Sequence, residues 1–168
     1  TFVDETWSLH EAAVVERQDG VLLLFMRNQH PHGRVAVSES HDAGQTWGAI
    51  RFDDNLPEIW CQPNAICLPS AEGEDRIVFA NASLMLPFRG CGVIRLSLDG
   101  GRTWKRSRTF NPGHYVYQCM CVLPDGRIGL LWENECQGLY FSRLPLSWFD
   151  AGVEAIEPHT TADQDGCL

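Results

Sequence analysis

The sequence lacks the features of several large protein classes. Its longest apolar run covers residues 21–26, whereas a helix that spans a membrane needs about 20 apolar residues. Positive charge is scarce, because 13 Lys and Arg stand against 22 Asp and Glu for a net charge of −9. That balance argues against a protein that binds duplex nucleic acid. Hydrophobic residues at 44% and charged residues at 21% of the 168 positions exclude disorder and leave room for one domain.

Patterns that bind metals are also missing. The seven cysteines contain no C-x-x-C pair, and no histidine joins them at zinc-finger spacing. The histidines show no ligand pattern beyond His30-x-His32, and no EF-hand loop is present. We therefore expect no cofactor and no metal. Most cysteines should be small buried apolar residues, while Cys119 and Cys121, two apart on one strand, should share a face without pairing.

The ends of the chain say little about its origin. The first residue is Thr1 rather than Met, and no signal peptide is present. The start of the chain therefore need not be the start of a gene product, and its compartment stays open.

Helical periodicity is nearly absent, and a three-fold repeat takes its place. Each repeat has an apolar strand, a turn with Gly and Asp, and a second apolar strand. The turn glycines Gly20, Gly73 and Gly126 are each 53 residues apart. A third strand, at 34–38 and 93–98, follows in the first two repeats. This regular alternation predicts an all-β protein.

Two turns with the pattern S-x-D-x-G-x-T-W follow those third strands. They occupy residues 40–47 and 97–104, which lie 57 positions apart. The Asp can accept backbone N–H bonds, the Gly can adopt positive φ, and the Trp can pack on the sheet, so each turn closes a hairpin. Four antiparallel strands per ~53 residues predict β-propeller blades. We expect about three four-stranded blades in residues 1–153, and a polar tail at 154–168.

These turns are Asp boxes, and the chain resembles the bacterial-type exo-sialidases (neuraminidases), which are six-bladed propeller glycoside hydrolases. The resemblance covers roughly residues 8–145 and corresponds to the C-terminal half of such an enzyme. It implies a retaining exo-sialidase that cleaves terminal α-linked sialic acids through a tyrosine nucleophile. The Asp boxes themselves are structural and carry no catalytic weight.

The resemblance also implies a set of site residues. The stretch around Glu11 and Arg27, 16 residues apart across one hairpin, looks like the family segment that carries the catalytic base and one substrate-binding Arg. Arg89 stands where the family has another such Arg. Arg95, farther along the same strand, is expected at the surface.

The nucleophile strand of the family is similar to residues 115–120. Tyr117 aligns with the nucleophile, and Tyr115, which shares its face, is the fallback assignment. Glu133 matches the family acid that supports the first Arg of the site. That Arg and the acid/base Asp lie in the N-terminal half of the family, so we expect this chain to lack both.

The chemistry suits these residue types. A sialoside carries a carboxylate on its anomeric carbon, and guanidinium groups bind carboxylates bidentately. A neutral tyrosine avoids the repulsion that an attacking carboxylate would meet, provided that a base takes its proton.

The expected partners are sialylated glycans, together with the N-terminal half of the propeller or a second copy of the chain. Two alternatives stay open: a non-catalytic Asp-box propeller that binds glycans or proteins, and a glycosidase for another 2-keto sugar acid.

Overall fold

The computed structural model describes residues 8–69, 73–85, 87–134 and 137–150. The polar tail expected at 154–168 lies outside these residues. The described chain forms eleven strands and one short 3-10 helix. The strands are β1 Ala12–Glu16, β2 Leu22–Met26, β3 Arg34–Ser40, β4 Arg51–Pro57, β5 Asn64–Cys67, β6 Ile77–Leu84, β7 Gly90–Ser97, β8 Arg106–His114, β9 Gln118–Val122, β10 Ile128–Glu133 and β11 Leu139–Leu144.

The strands form three antiparallel sheets in which each strand pairs with its neighbour along the chain. Their orders are β1-β2-β3-β4, β5-β6-β7-β8 and β9-β10-β11. The all-β blade prediction is confirmed. Among the described residues the third sheet has three strands instead of the expected four, and the 3-10 helix Leu146–Phe149 follows β11. Pro145 lies between them, and its ring removes the N–H that further pairing would need.

The two Asp boxes fold in nearly the same way, as their shared pattern predicts. In the first, Ser40 Oγ accepts the Gly44 N–H at 2.8 Å, while Asp42 accepts the Thr46 N–H at 2.8 Å and its hydroxyl at 2.6 Å. In the second, Asp99 accepts the N–H of Thr103 at 2.8 Å and its hydroxyl at 2.6 Å. The bonds from Thr46 lower the pKa of Asp42 to about 2. Each Asp therefore holds its turn as a charged acceptor.

An aromatic cluster joins the first blade to the second. The ring of Trp104, from the second Asp box, lies 6.1 Å from that of Phe25 and 5.7 Å from that of Phe79. Both phenylalanines are fully buried, and Trp104 is 8% exposed. Trp104 also donates its indole N–H to the buried Asp53 at 3.2 Å. The Asp-box tryptophan therefore packs between blades as well as on its own hairpin.

Polar contacts align the innermost strands of the second and third sheets. Asn64 in β5 accepts the N–H of Met120 at 2.9 Å. The buried amide of Gln118 donates to the carbonyl of Gln62 at 2.7 Å and to that of Ala80 at 3.1 Å. A cluster of buried apolar side chains fills the space between these sheets. The third sheet is thereby held in register with the second.

Apolar side chains stay exposed on the outward sides of the first and third sheets. In β1, Val14 is 55% exposed, whereas its neighbour Val15 is buried in the first cluster. In the third sheet, Leu131, Leu139 and Phe141 are 44%, 72% and 52% exposed. In a propeller these sides face further blades.

Two predictions about individual side chains are wrong. Arg95 is 7% exposed rather than on the surface, because Asn81 and Ser83 accept hydrogen bonds from its guanidinium at 2.9 and 3.0 Å. Of the five cysteines in the described residues, only Cys61 is buried. Cys119 and Cys121 are exposed and free on β9, as their spacing predicts.

Candidate active site at one end of the blades

The residues assigned from the resemblance all lie at the same end of the blades. Because neighbouring strands run antiparallel, the start of a blade's first strand and the end of its second lie side by side. Glu11 comes just before β1 and Arg27 just after β2, with the Arg27 N–H bonded to the Glu11 carbonyl at 3.0 Å. Tyr117 comes just before β9, and Glu133 ends β10. The Asp boxes close the opposite end, away from this cluster.

Arg27 links the first blade to the third sheet. Its Nη1 donates to Glu11 Oε2 at 2.8 Å and to the hydroxyl of Tyr117 at 3.3 Å. Partial burial alone would lower the pKa of Arg27. The hydrogen bonds to Glu11 and Tyr117 have the larger combined effect, so the pKa of Arg27 is raised. The guanidinium is therefore a permanent cation beside a phenol and a carboxylate.

The base and the nucleophile expected from the resemblance are bridged rather than in direct contact. Glu11 and Tyr117 both bond to the same nitrogen of Arg27. Among the described residues Glu11 forms no hydrogen bond to the Tyr117 hydroxyl. Catalytic hydrogen bonds are often long or incomplete before a ligand binds.

Arg89 lies over the ring of Tyr117. Its guanidinium carbon is 5.4 Å from the ring centroid, a distance at which a cation interacts with the aromatic face. Nη1 of Arg89 donates to the carbonyl of Trp60 at 3.2 Å. Trp60 has a φ of 61°, unusual for a residue other than glycine. The loop before β5 thus orients Arg89 by means of a strained backbone.

The two candidate tyrosines have opposite environments. Tyr115 is fully buried against Phe110 and Trp132. Its hydroxyl has no hydrogen-bond partner among the described residues, and burial raises the pKa of Tyr115 well above its usual value. Tyr117 is half-buried and contacts both Arg27 and Arg89. Only Tyr117 lies where it can meet a ligand held by the two arginines.

Glu133 is close to Tyr117 through its backbone. The Glu133 N–H donates to the Tyr117 carbonyl at 3.0 Å, and the Glu133 carbonyl accepts the N–H of Val116 at 3.1 Å. Its half-buried side chain forms no ion pair within the described part of the chain. The position agrees with a supporting role, but the arginine that it would support is not among these contacts.

Glu58 is a site residue that the sequence interpretation missed. It follows β4, is 5% exposed, and accepts the N–H of Cys61 at 3.0 Å through Oε1. Burial, which outweighs nearby N–H groups and the charge of Arg27, raises the pKa of Glu58 to about 7. A signal was present in the sequence, because Glu58 is the one charged residue in the apolar stretch 56–61.

The cluster offers two cations, a phenol and three carboxyl groups at one end of the blades. One guanidinium group at the hydroxyl of a phenol and another over its ring suit a small organic anion held against the tyrosine. No group of three or more side chains in the described residues could hold a metal ion. No helix among those residues is long and apolar enough to cross a membrane.

Two Asp-box blades beside a third sheet define a β-propeller architecture, and comparisons with known proteins agree. The chain belongs to the BNR repeat-like domain family, whose profile matches residues 2–130. It is 34% identical over 145 residues to a sialidase of Micromonospora viridifaciens, covering 83% of this chain and 22% of that protein. A sialidase of Bacteroides fragilis is 29% identical over 157 residues, covering 84% of this chain and 28% of that protein.

A solved structure gives the same fold. The crystal structure of the intramolecular trans-sialidase from Ruminococcus gnavus, in complex with oseltamivir carboxylate, superposes with a TM-score of 0.70 at 23% identity. The match covers 88% of this chain and 34% of that one. The chain therefore spans about a quarter of the two sialidases and a third of the trans-sialidase. Its fold is that of part of a sialidase-type propeller.

Proposed function

We propose that this chain carries part of the active site of a retaining exo-sialidase that cleaves terminal α-linked sialic acids. The observation that carries the proposal is the position of Arg27, which bonds to both Glu11 and the Tyr117 hydroxyl while Arg89 lies over the Tyr117 ring. The similarity to two bacterial sialidases supports the same substrate class.

Arg27 and Arg89 bind the substrate carboxylate in this proposal. Both guanidinium groups stay charged at working pH and can form paired hydrogen bonds to it. In the unliganded site, Arg27 is occupied by Glu11 at 2.8 Å. This ion pair is partly exposed, and such pairs are worth only about 0.2–1 kcal/mol. A substrate carboxylate can therefore displace Glu11 from Arg27 at low cost.

The displaced Glu11 then acts as the base. Its carboxylate takes the proton of the Tyr117 hydroxyl, whose oxygen attacks the anomeric carbon as the bond to the leaving oxygen breaks. The product of this step is an aryl glycoside in which the Tyr117 oxygen is bonded to the anomeric carbon, and water cleaves this bond in a second step with net retention. The phenol approaches as a neutral group, so the substrate carboxylate does not repel it.

Groups from outside this chain complete the site in this proposal. They are the general acid that protonates the leaving oxygen and a third arginine, which Glu133 supports. The N-terminal half of the propeller or a second copy of the chain can supply them. The exposed apolar sides of the first and third sheets offer surfaces for such a neighbour.

The experiment is turnover of a fluorogenic α-sialoside, with Tyr117→Phe and Tyr115→Phe compared. Loss of turnover in Tyr117→Phe is expected. The buried Tyr115 is the control, because its hydroxyl forms no hydrogen bond with any described residue. Binding of a sialic-acid analogue without turnover, weakened by Arg27→Ala and Arg89→Ala, would indicate that the acid must come from another chain. If the analogue binds but addition of the N-terminal half of the propeller, or of a second copy of the chain, produces no turnover, the non-catalytic propeller is favoured. A comparison of sialosides with deaminated analogues tests the other sugar acids.

A further inference from the structure

Glu58 is a third carboxyl group behind the arginine cluster, and the chemistry above does not use it. Its side chain is 5% exposed. Oε1 accepts the Cys61 N–H at 3.0 Å, whereas Oε2 is buried and accepts no hydrogen bond from any described residue. An unpaired carboxylate oxygen in such a place disfavours the ionised form.

Glu58 is buried within this chain. Its Oε2 atom has almost no solvent-accessible surface, so no group from another half of the propeller is needed to bury it. The Glu58 N–H is bonded to the Gly33 carbonyl at 2.9 Å, which fixes the residue against the β2–β3 loop. This distinguishes Glu58 from Glu11 and Glu133, whose side chains face the open end of the blades.

One cation near Glu58 belongs to the proposed ligand site. The charge of Arg27 favours the ionised form of Glu58, together with the N–H groups of Cys61, Trp60 and Asn28. Arg89, which bonds to the Trp60 carbonyl at 3.2 Å, and the Cys61 thiol lie on the side of the loop that follows Glu58. The β2–β3 loop on the other side of Glu58 carries His30 and His32, and Arg34, at the start of β3, bonds to the Gly33 carbonyl at 3.0 Å. Glu11 and Tyr117 share Arg27. Arg27 is therefore the link between Glu58 and a bound anion.

We infer that binding of a ligand carboxylate to Arg27 and Arg89 drives a proton from solvent onto Glu58. Glu11 already pairs with Arg27, so a bound anion takes its place while Glu11 stays in the site. The groups around Arg27 then carry one more negative charge, which disfavours ionised Glu58. The carboxylate of Glu58 then becomes the neutral acid. This inference rests on the proposed function, because it requires an anionic ligand at the two arginines.

The size of the effect follows from linkage. With its pKa raised to about 7, Glu58 is about half ionised at pH 7. Binding at pH 7 can therefore take up at most about half a proton through this group. Ligand affinity near that pH should fall by up to roughly threefold for each unit of pH increase, because the fall in log affinity per pH unit equals the proton uptake.

The test is calorimetric titration of the whole chain, in the assembly in which it purifies, with an unsaturated sialic-acid analogue. The analogue is 2-deoxy-2,3-didehydro-N-acetylneuraminic acid, whose carboxylate stays ionised throughout the pH range. The heat of binding is measured at pH 7 in buffers of different ionisation enthalpy, and its dependence on the buffer gives the number of protons taken up. Glu58→Gln keeps the shape of the side chain but cannot titrate.

A matched control is Asp54→Asn, the same kind of change at an exposed residue of β4. Uptake near half a proton in the unmodified chain and in Asp54→Asn, falling toward zero in Glu58→Gln, is the expected result. Uptake that persists in Glu58→Gln would assign the proton to another group and overturn the inference. Binding without uptake in the unmodified chain would overturn the inference alone, whereas no binding at all would count against the proposed site as well.

The pH profile of the unmodified chain keeps the test independent of how Glu58→Gln folds. Uptake should be largest just above pH 7 and should vanish near pH 5, where Glu58 is already protonated before the ligand binds. Uptake at pH 5 as large as that at pH 7 would contradict the inference.

Discussion

Replacing Trp104 with alanine should cost far more stability than the same change at Trp47. The two residues occupy the same position in the two Asp boxes, but Trp104 is 8% exposed whereas Trp47 is only half-buried. A tryptophan buries roughly 200 Å², and at about 25 cal/mol per Å² its burial is worth about 5 kcal/mol. Trp104→Ala also removes a donor from Asp53, which is 4% exposed. We expect a loss of about 4 kcal/mol for Trp104→Ala and about 1–2 kcal/mol for Trp47→Ala.

The assay is urea unfolding and thermal unfolding, each followed by tryptophan fluorescence and circular dichroism. At this chain length each 1 kcal/mol should lower the melting temperature by about 2–4 °C, so the two variants should differ by several degrees. Trp104→Phe should recover part of the loss, because a ring still contacts Phe25 and Phe79. Equal losses for Trp104→Ala and Trp47→Ala would refute the role of Trp104 in packing one blade against the next.

Three further predictions concern single positions. Gly101→Ala and Gly126→Ala both place alanine at a φ of +80°. Of these two positions, only Gly101 would bring the new Cβ close to another residue, at 2.9 Å from Leu23 Cδ1. The urea midpoint should therefore fall further for Gly101→Ala than for Gly126→Ala. Arg95→Met should destabilise the fold by about 1–3 kcal/mol in urea, because it leaves the buried Asn81 oxygen with only a long bond from Ser83 at 3.5 Å. An unchanged midpoint would contradict this. The folded state should bind a proton at Glu58 more tightly than the unfolded chain, since the pKa of Glu58 is raised from 4.5 to about 7. Stability should therefore fall by roughly 3 kcal/mol as pH rises from about 4.5 to 7, and Glu58→Gln should flatten that slope in urea titrations at pH 5 and pH 8.

The blades could be predicted because their signals are local. Strict alternation, turn glycines 53 residues apart and two Asp boxes define hairpins within short stretches of chain. The third sheet was harder to predict, since it has three strands among the described residues and only Pro145 and the absence of a third Asp box indicated a difference from the other two sheets. The expected all-β architecture was confirmed, and the strand count of one sheet was not.

The candidate site could be predicted only in part, because it depends on contacts between distant strands. Family resemblance indicated Arg27 and Tyr117, but their contact at 3.3 Å joins residues 90 positions apart. The same limit explains the error at Arg95 and the omission of Glu58. The alternation of residues along β7 predicts the face on which Arg95 lies. It does not predict that Asn81 and Ser83, on the neighbouring strand, accept hydrogen bonds from the buried guanidinium. Likewise, the burial of Glu58 depends on how the first and second blades pack, which no local pattern contains.

The most direct test of the central claim is to trap the proposed intermediate on Tyr117. A fluorinated sialyl fluoride is suitable, because fluoride leaves without the general acid that this chain is expected to lack. The Tyr117 oxygen forms a bond to the anomeric carbon, fluoride departs, and the phenol proton passes to Glu11. Mass spectrometry of the digested chain should then find one sialyl group on the peptide that contains Tyr117, and none in Tyr117→Phe. A label on Tyr115 or Glu11, or no label while a sialic-acid analogue still binds, would contradict the tyrosine mechanism.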